Sequence, residues 1–202
     1  RCLSRGLGDV YKRQALFWPS MLKSAGIRLP TKICVHGFVT INGLKMSKSR
    51  GTFILARDYL DNLDPDFLRY YYACKLSNSA EDLDLNLEDF VQKINSDLVG
   101  KVVNLASRCS KFITKGNDGY LHSEIDDKEL WNIFNRSATT ISENYENRNF
   151  SKATREILKL NDLANEYISD KQPWVLNKEH DNKEQVLRLS LIHISEPTRQ
   201  AS

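Results

Sequence analysis

A run of apolar residues at helical spacing constrains the fold of this chain more than any other feature. The run advances in steps of four or three and comprises Phe90, Ile94, Leu98, Val102, Leu105, Cys109 and Phe112. Residues three and four apart lie on the same face of an α-helix, so the run predicts a long amphipathic helix with one buried side. Asn86, which precedes two acidic residues, is typical of a helix start.

Two more amphipathic helices are predicted after this one. Asp126 with Glu129 has the spacing of a capping box, and it introduces a stripe of Leu130, Phe134, Ala138, Ile141 and Tyr145. The next stripe comprises Phe150, Ala153, Ile157, Leu160, Ala164 and Tyr167 and ends near Pro173. Three such helices with short links predict an incomplete antiparallel α-helical bundle over residues 85–187.

The first half of the chain has a mixed pattern. Short helices are predicted over residues 15–25, 56–63 and 65–74, the last after Asp64 and with Pro65 at its first position. Residues 33–41 are rich in Val, Ile, Phe and Thr and predict one strand without parallel neighbours, which ends in the turn dipeptide Asn42-Gly43. Residues 77–84 are polar and are interpreted as a connector, so we divide the chain into domains at 15–84 and 85–187.

Residues 1–14 show neither helical nor strand periodicity, and residues 188–202 have a short apolar run that then breaks off. We interpret residues 1–14 and 188–202 as non-native tails of the adapter type and expect no function from them. They carry net charges of +3 and +1, which leaves −1 for residues 15–187 from a total of +3. The overall charge therefore gives no argument for nucleic-acid binding, and any such argument must rest on a local surface.

Composition excludes some classes of protein. No apolar run approaches the roughly eighteen residues of a membrane-spanning helix, so we expect no membrane association. The four cysteines form no Cys-x-x-Cys pair, which predicts no zinc or other metal site here and reduced thiols in a cytoplasmic protein.

Residues 45–49, with the sequence KMSKS, follow the predicted strand and turn. We call them the KMSKS loop. When a carboxylate attacks the α-phosphate of ATP, negative charge grows on the phosphate oxygens, and two ammonium groups on a loop can stabilise it in the transition state. Ser47 and Ser49 add hydroxyl donors. Taken alone, the string is equally compatible with a solvated loop on a hairpin.

The KMSKS loop lies in a longer stretch that resembles the methionyl-tRNA synthetases, which are class I aminoacyl-tRNA synthetases. The resemblance is carried, in the family's order, by residues 17–19 (FWP), 36–52 (HGFVTINGLKMSKSRGT), 66–72 (DFLRYYY), 85–90 (LNLEDF) and 101–108 (KVVNLASR). It implies a mostly α fold: the end of a Rossmann-type α/β catalytic domain with the KMSKS loop and stem-contact helices, then an anticodon-binding α-helical bundle.

The resemblance also implies roles for individual residues. Lys48 would contact the ATP phosphates, assisted by Lys45 and Ser47. The remaining assignments are ATP binding for His36, Gly37 and Val39, the methionine pocket for Phe17 and Trp18, and the anticodon for Asn104, Arg108 and Trp174.

The anticodon assignment agrees with the helical spacing. A polar stripe of Asp97, Lys101, Asn104, Arg108 and Lys111 runs beside the apolar one, so Asn104 and Arg108 point the same way. An amide and a guanidinium can hydrogen-bond the edges of an unstacked base, and an indole can stack on its face. Without the resemblance, an ordinary solvated helix face with Trp174 capping the core is the simpler interpretation.

The implied activity is that of a methionine–tRNA ligase. It would convert methionine and ATP, with Mg²⁺, to methionyl-adenylate and transfer the methionyl group to tRNA(Met). The HIGH motif and the zinc-bearing insertion lie upstream in the family, and Gln14 stands where the family has a histidine, so we expect this fragment alone to be inactive. The alternatives are another class I synthetase, a non-catalytic tRNA-binding helical module, or a structural bundle.

Overall fold

The structure is a computed structural model that describes residues 10–35, 37–46, 51, 53–116 and 127–176. The helices are α1 (Val10–Phe17), α2 (Trp18–Ser24), α3 (Ala56–Leu60), α4 (Pro65–Lys75), α5 (Leu87–Lys93), α6 (Ile94–Val103), α7 (Asn104–Gly116), α8 (Lys128–Glu146), α9 (Phe150–Lys171) and α10 (Pro173–Leu176), of which α1 and α6 are π-helical. The strands are β1 (Val39–Ile41), β2 (Leu44–Lys45) and β3 (Leu83–Leu85). The mostly α character of the fold agrees with the sequence prediction.

The strands form one small mixed sheet in the order β2-β1-β3. β1 and β2 are antiparallel and are joined by Asn42 and Gly43, whose φ angles of 48° and 74° suit the tight hairpin turn that the sequence predicted. β3 pairs parallel to β1, with Thr40 opposite Asp84. The prediction of a lone strand and of a connector through residue 84 was therefore wrong.

The physical reason for that error is the composition of β3. Asp82 and Asp84 gave the segment a polar character, whereas Leu83 and Leu85 are only 7% and 5% exposed. Pairing with β1 buries these two leucines, and a parallel pairing of this kind depends on residues more than forty positions away. β3 extends across the domain boundary drawn between residues 84 and 85, and that boundary remains a prediction.

Helices α5, α6 and α7 follow one another without a break from Leu87 to Gly116. The predicted start is correct, because the Asn86 side chain accepts a hydrogen bond from the Asp89 backbone nitrogen at 2.9 Å. The predicted stripe is buried at both ends of the run, but Val102 in the π-helical section is 41% exposed. A π-helix has more residues per turn than an α-helix, so the residues of the stripe do not stay on one face through α6. The stripe is therefore divided between two cores.

The first core lies between the sheet and helices α4 to α6. Its buried members are Ile41, Tyr71, Leu85, Phe90 and Ile94. Tyr71 is completely buried, and its ring meets that of Phe90 edge-to-face with 5.4 Å between centroids. Asp64 caps α4 by accepting from the Asp66 backbone nitrogen at 2.8 Å, as the sequence predicted.

The second core lies between α7, α8 and α9. Its buried members are Leu105, Cys109, Leu130, Ala164, Tyr167 and Ile168, with Phe134 packed against them. α8 is capped by Asp127, which accepts from the Leu130 backbone nitrogen at 2.9 Å. The predicted cap, Asp126, lies outside the described residues, and the cap that the structure shows is the next residue, Asp127.

The two cores are joined because α4 packs against α9. At one end of this contact, the Ser151 backbone nitrogen donates a 2.8 Å hydrogen bond to the Leu76 carbonyl. α4 is also bonded to α6, because the Tyr70 hydroxyl donates to Asp97 at 2.8 Å. The helix that carries the resemblance to the stem-contact region is thus fixed directly to the bundle.

Helices α1 and α2 follow one another without a break from Val10 to Ser24, with Phe17 in helical conformation where they meet. Leu16, Phe17, Trp18 and Met21 are each more than half exposed. This region therefore contributes little to either core. No helix within the described ranges is both long enough and apolar enough to cross a membrane.

Candidate nucleotide and anticodon sites

The β1–β2 hairpin leads directly into the KMSKS loop. Lys45 ends β2, and its Nζ lies 4.9 Å from the centroid of the Phe38 ring, in a cation–π contact. Ser47 and Lys48, which carry the other catalytic assignments, lie outside the described residues, as does His36. The structure therefore describes the root of the predicted catalytic loop, where Lys45 stands.

Gly37 and Val39 lie where β1 meets β3. The Gly37 nitrogen donates to the Glu81 carbonyl at 3.0 Å. A Cβ atom at position 37 would overlap the backbone of Glu81 and Asp82, so only glycine fits this approach. Val39 pairs with Leu83. The ATP-binding roles of Gly37 and Val39 remain predictions.

A carboxylate fixes the hairpin from the side of β3. Oδ1 of Asp84 accepts from the Thr40 hydroxyl at 2.6 Å and from the Gly43 backbone nitrogen at 2.7 Å. The hydrogen bond from Thr40, followed by that from Gly43, lowers the pKa of Asp84 below its ordinary value, so the group is ionised at neutral pH. Sequence reasoning did not single out Asp84, because its partners belong to a strand it was not expected to meet.

The two residues assigned to the methionine pocket stand at the junction of α1 and α2. Phe17 is 63% exposed and Trp18 is 56% exposed. Neither side chain belongs to the two cores formed by the described residues. The structure thus forms no closed pocket around these rings within the part of the chain that it describes.

Arg108 and Trp174, assigned to the anticodon, lie side by side. The Arg108 guanidinium carbon is 4.9 Å from the centroid of the Trp174 ring. One guanidinium nitrogen, Nη2, also donates to the Ser169 hydroxyl at 3.2 Å. Asn104 begins α7 one helical turn before Arg108 and is exposed. Trp174, which is distant in sequence, is thus brought beside Arg108, one helical turn from Asn104.

Trp174 owes its position to the end of α9. Gln172 has a left-handed φ of 45°, which turns the chain sharply after α9. Pro173 follows at the start of α10 and is among the most deeply buried side chains, while Trp174 remains 38% exposed. A buried proline next to a partly exposed indole holds the ring at the surface beside Arg108.

Sequence reasoning missed the side chains of α9 that face this stripe. Lys101 forms an ion pair with Asp162 at 2.7 Å, and the Asn165 amide donates to the Lys101 carbonyl at 3.4 Å. Asp162, Asn165 and Ser169 are spaced by three and four residues, so a polar stripe on α9 was available as a signal. Polar contacts therefore join α9 both to α6, through Lys101, and to α7, through Arg108 and Ser169.

Asp97, which the sequence placed in the polar stripe with Asn104 and Arg108, is buried. Only 8% of the Asp97 surface is exposed. Its carboxylate accepts from the Tyr70 hydroxyl at 2.8 Å and from the Ser96 hydroxyl at 3.0 Å. Lys93 lies 3.3 Å away. Burial alone would raise the pKa of Asp97, but the hydrogen bonds from Tyr70 and Ser96, together with Lys93, hold that pKa below its ordinary value. Burial and Asp97 both raise the pKa of Tyr70.

Metal ligation has no candidate in the described part of the chain, where no three His, Cys, Asp or Glu side chains are grouped to hold an ion. The expectations of Mg²⁺ with ATP and of no zinc site in this fragment remain predictions.

Comparison with known proteins identifies the family. The profile of the tRNA synthetases class I (M) matches residues 8–110, just over half of the chain. Mycobacterium tuberculosis methionyl-tRNA synthetase in complex with methionyl-adenylate is similar at 30% identity with a TM-score of 0.75, over 91% of this chain and 37% of that chain. A second structure of that enzyme, bound by methionyl-adenylate, gives 29% identity, a TM-score of 0.76 and the same two coverages.

The apo form of the same enzyme is similar at 26% identity with a TM-score of 0.72, over 91% of this chain. The chain spans only 36–37% of the length of these relatives. Since the family profile and the structural matches agree, the chain belongs to the class I tRNA synthetases of the methionyl type.

Proposed function

We propose that this chain is part of an ATP-dependent methionine–tRNA ligase and that the edge of α7, α9 and α10 reads the anticodon of tRNA(Met). The observation that carries the proposal is the contact of Arg108 with Trp174, one helical turn from Asn104. The relatives bound to methionyl-adenylate support methionine and ATP as the substrates of the parent enzyme.

The chemistry of this edge suits unstacked bases. Trp174 retains an exposed portion of its ring on which a base can stack. The Arg108 guanidinium and the Asn104 amide offer donors in fixed directions, and the amide oxygen adds an acceptor, so base edges can be told apart. A solvated helix face would not need the indole and the guanidinium to be held together.

The catalytic half of the proposal rests on the KMSKS loop. Lys48, with Lys45 and Ser47, would stabilise the charge that develops on the ATP phosphates, and none of the three would act as a base. His36, Gly37 and Val39 would adjoin the nucleotide, and the thioether of methionine would meet Phe17 and Trp18. The ammonium groups of the two lysines fit a phosphate and cannot ligate a metal ion, so Mg²⁺ would arrive with the nucleotide.

The test is binding of the full 202-residue chain to an anticodon stem-loop with the sequence CAU. The same stem-loop with one anticodon base changed is the matched ligand, at one fixed salt concentration because phosphate contacts depend on salt. We expect the chain to bind the CAU stem-loop more tightly than the stem-loop with the changed base. Trp174→Ala should weaken binding by about 1–3 kcal/mol, the typical contribution of one base–aromatic stack.

Arg108→Ala should reduce the preference for CAU, while Arg136→Ala on the exposed side of α8 is the control and should leave it unchanged. Equal binding of both stem-loops by a folded chain would refute the anticodon proposal. A preference for a different anticodon would favour another class I synthetase. Loss of all binding preference with retained affinity would favour a general tRNA-binding module.

A further inference from the structure

We propose that Asp84 is a positioning residue for Lys45: its carboxylate holds the Asn42–Gly43 turn and thereby fixes the strand on which Lys45 stands. The functional meaning of this role rests on the proposed function, because Lys45 matters only if the KMSKS loop serves nucleotidyl transfer. The geometric part stands on the hairpin alone.

The first argument is the reach of one oxygen atom. Asp84 lies opposite Thr40 in the parallel register of β1 and β3. Its Oδ1 accepts from the Thr40 hydroxyl at 2.6 Å and extends past the end of β1 to the Gly43 nitrogen at 2.7 Å. A single carboxylate oxygen therefore connects the third strand to the turn between the other two.

The second argument is the conformation of the turn. Asn42 has a φ of 48°, an uncommon conformation for a residue with a side chain, and Gly43 has a φ of 74°. β2 has only two residues, so few ladder hydrogen bonds hold the hairpin closed. The bond to the ionised Asp84 is charge-assisted and is stronger than a bond between neutral groups. The turn consequently depends on Asp84 more than a longer hairpin would.

The third argument is that Asp84 is itself held firmly. Its carbonyl accepts from the Lys75 Nζ at 3.0 Å. Lys75 also pairs with Asp89 at 3.0 Å and lies over the ring of the fully buried Tyr71 at 4.4 Å. These contacts anchor the backbone of Asp84 to α4, so its carboxylate is a fixed point and not a mobile one.

The consequence concerns Lys45, two residues beyond Gly43. A group that stabilises a transition state must be held close to its productive position, and a displacement of about 1 Å can cost on the order of 100-fold in rate. Lys45 stands on a two-residue strand and contacts the Phe38 ring. Holding the turn is therefore the means by which the fold sets the direction of this side chain.

The experiment compares hydrogen exchange of the Gly43 amide and tryptic cleavage after Lys45 in the full chain and in Asp84→Ala. Loss of a hydrogen bond to a charged group should raise both rates by about tenfold or more. Asp84→Asn retains an acceptor oxygen and should restore much of the protection. Asp82→Ala is the matched control, since Asp82 accepts from the Phe38 nitrogen at 2.7 Å at the other end of β1.

The proposal is overturned if Asp84→Ala leaves both rates unchanged, or if Asp82→Ala raises them equally, because either result would make Asp84 an ordinary member of the sheet. Should Asp84→Ala fail to fold, Thr40→Val removes one of the two donors and must still raise exchange at Gly43. Binding of the CAU stem-loop should be the same in Asp84→Asn as in the unchanged chain. A failure of the anticodon proposal can therefore be distinguished from a failure of the proposal for Asp84.

Discussion

The two candidate sites differ in what holds them in place. Arg108 and Trp174 stand at the edge of the core in which α7 and α9 bury Leu105 and Ile168. The contact between Arg108 and Trp174 follows from the packing of these long helices. Lys45 stands on a two-residue strand whose turn depends on the Asp84 carboxylate. A site on packed helices is positioned by many small contacts, whereas the hairpin is positioned by a few polar ones.

The largest expected effect concerns the core beneath Arg108 and Trp174. Ile168 is completely buried in the second core. Ile168→Ala should lower the free energy of unfolding by about 2–5 kcal/mol, through lost burial and the cavity left behind. Urea denaturation of the full chain measures it.

Ile157→Ala on the same helix is the control for that experiment, because Ile157 is 40% exposed. Its cost should be clearly smaller. Equal losses for the two variants would mean that the packing of α7 against α9 does not hold Arg108 and Trp174 in place, and the contrast between the two sites would disappear.

The next effect concerns Asp97, which joins α6 to α4. Asp97→Ala leaves the Tyr70 hydroxyl without its acceptor and Lys93 without its ion-pair partner. We expect a loss of about 1–3 kcal/mol in the free energy of unfolding, the cost of an unsatisfied buried polar group. Asp170→Ala, at an exposed position of α9, should change stability far less, and a comparable loss there would argue against the buried network.

A smaller effect is expected in the pH dependence of stability. The pKa of Asp97 is lower in the folded chain than its ordinary value. Its ionised form therefore contributes stability that is fully present above the unfolded pKa of about 3.9 and is lost as pH falls through the folded pKa. The difference in unfolding free energy between the unchanged chain and Asp97→Asn should shrink as urea titrations move from neutral pH to about pH 3. A difference that stays constant would contradict this assignment.

The smallest effect is expected at the junction of α1 and α2. Trp18 is 56% exposed, so Trp18→Ala should change the free energy of unfolding by less than about 0.5 kcal/mol. Trp131→Ala, a half-buried tryptophan of α8, is the comparison and should cost more. A large loss on changing Trp18 would show that α1 and α2 are packed more firmly than their exposure indicates.

Local sequence signals predicted much of this fold. Asn86 and Asp64 cap the helices that they were expected to cap, and Asn42-Gly43 forms the expected turn. Caps and turns depend on residues within a few positions, so their chemistry can be read directly from the sequence. The spacing of Asn104 and Arg108 likewise fixed their common direction, whereas the approach of Trp174 was expected only from the resemblance to a family.

Signals that depend on distant partners were missed. β3 is recognisable only when β1 is known to lie beside it. The burial of Asp97 was not foreseen, because it depends on Tyr70 from α4, twenty-seven residues earlier. Ser169 and Asp84 escaped notice for the same reason, since each acts on a side chain or a turn more than forty residues away. Tertiary contact, and not local preference, gives β3, Asp97 and Ser169 their roles.

The contact between α4 and α9 also has a consequence for how the chain is made. α4 is complete at Lys75, but the helix that covers it begins at Phe150. A ribosome adding about 5–20 residues per second would leave that face of α4 without its partner for several seconds. Contacts between segments so far apart also slow folding, because a long loop must close before they form. Chaperone dependence during synthesis should therefore be concentrated on the segment around α4 and end once α9 has emerged.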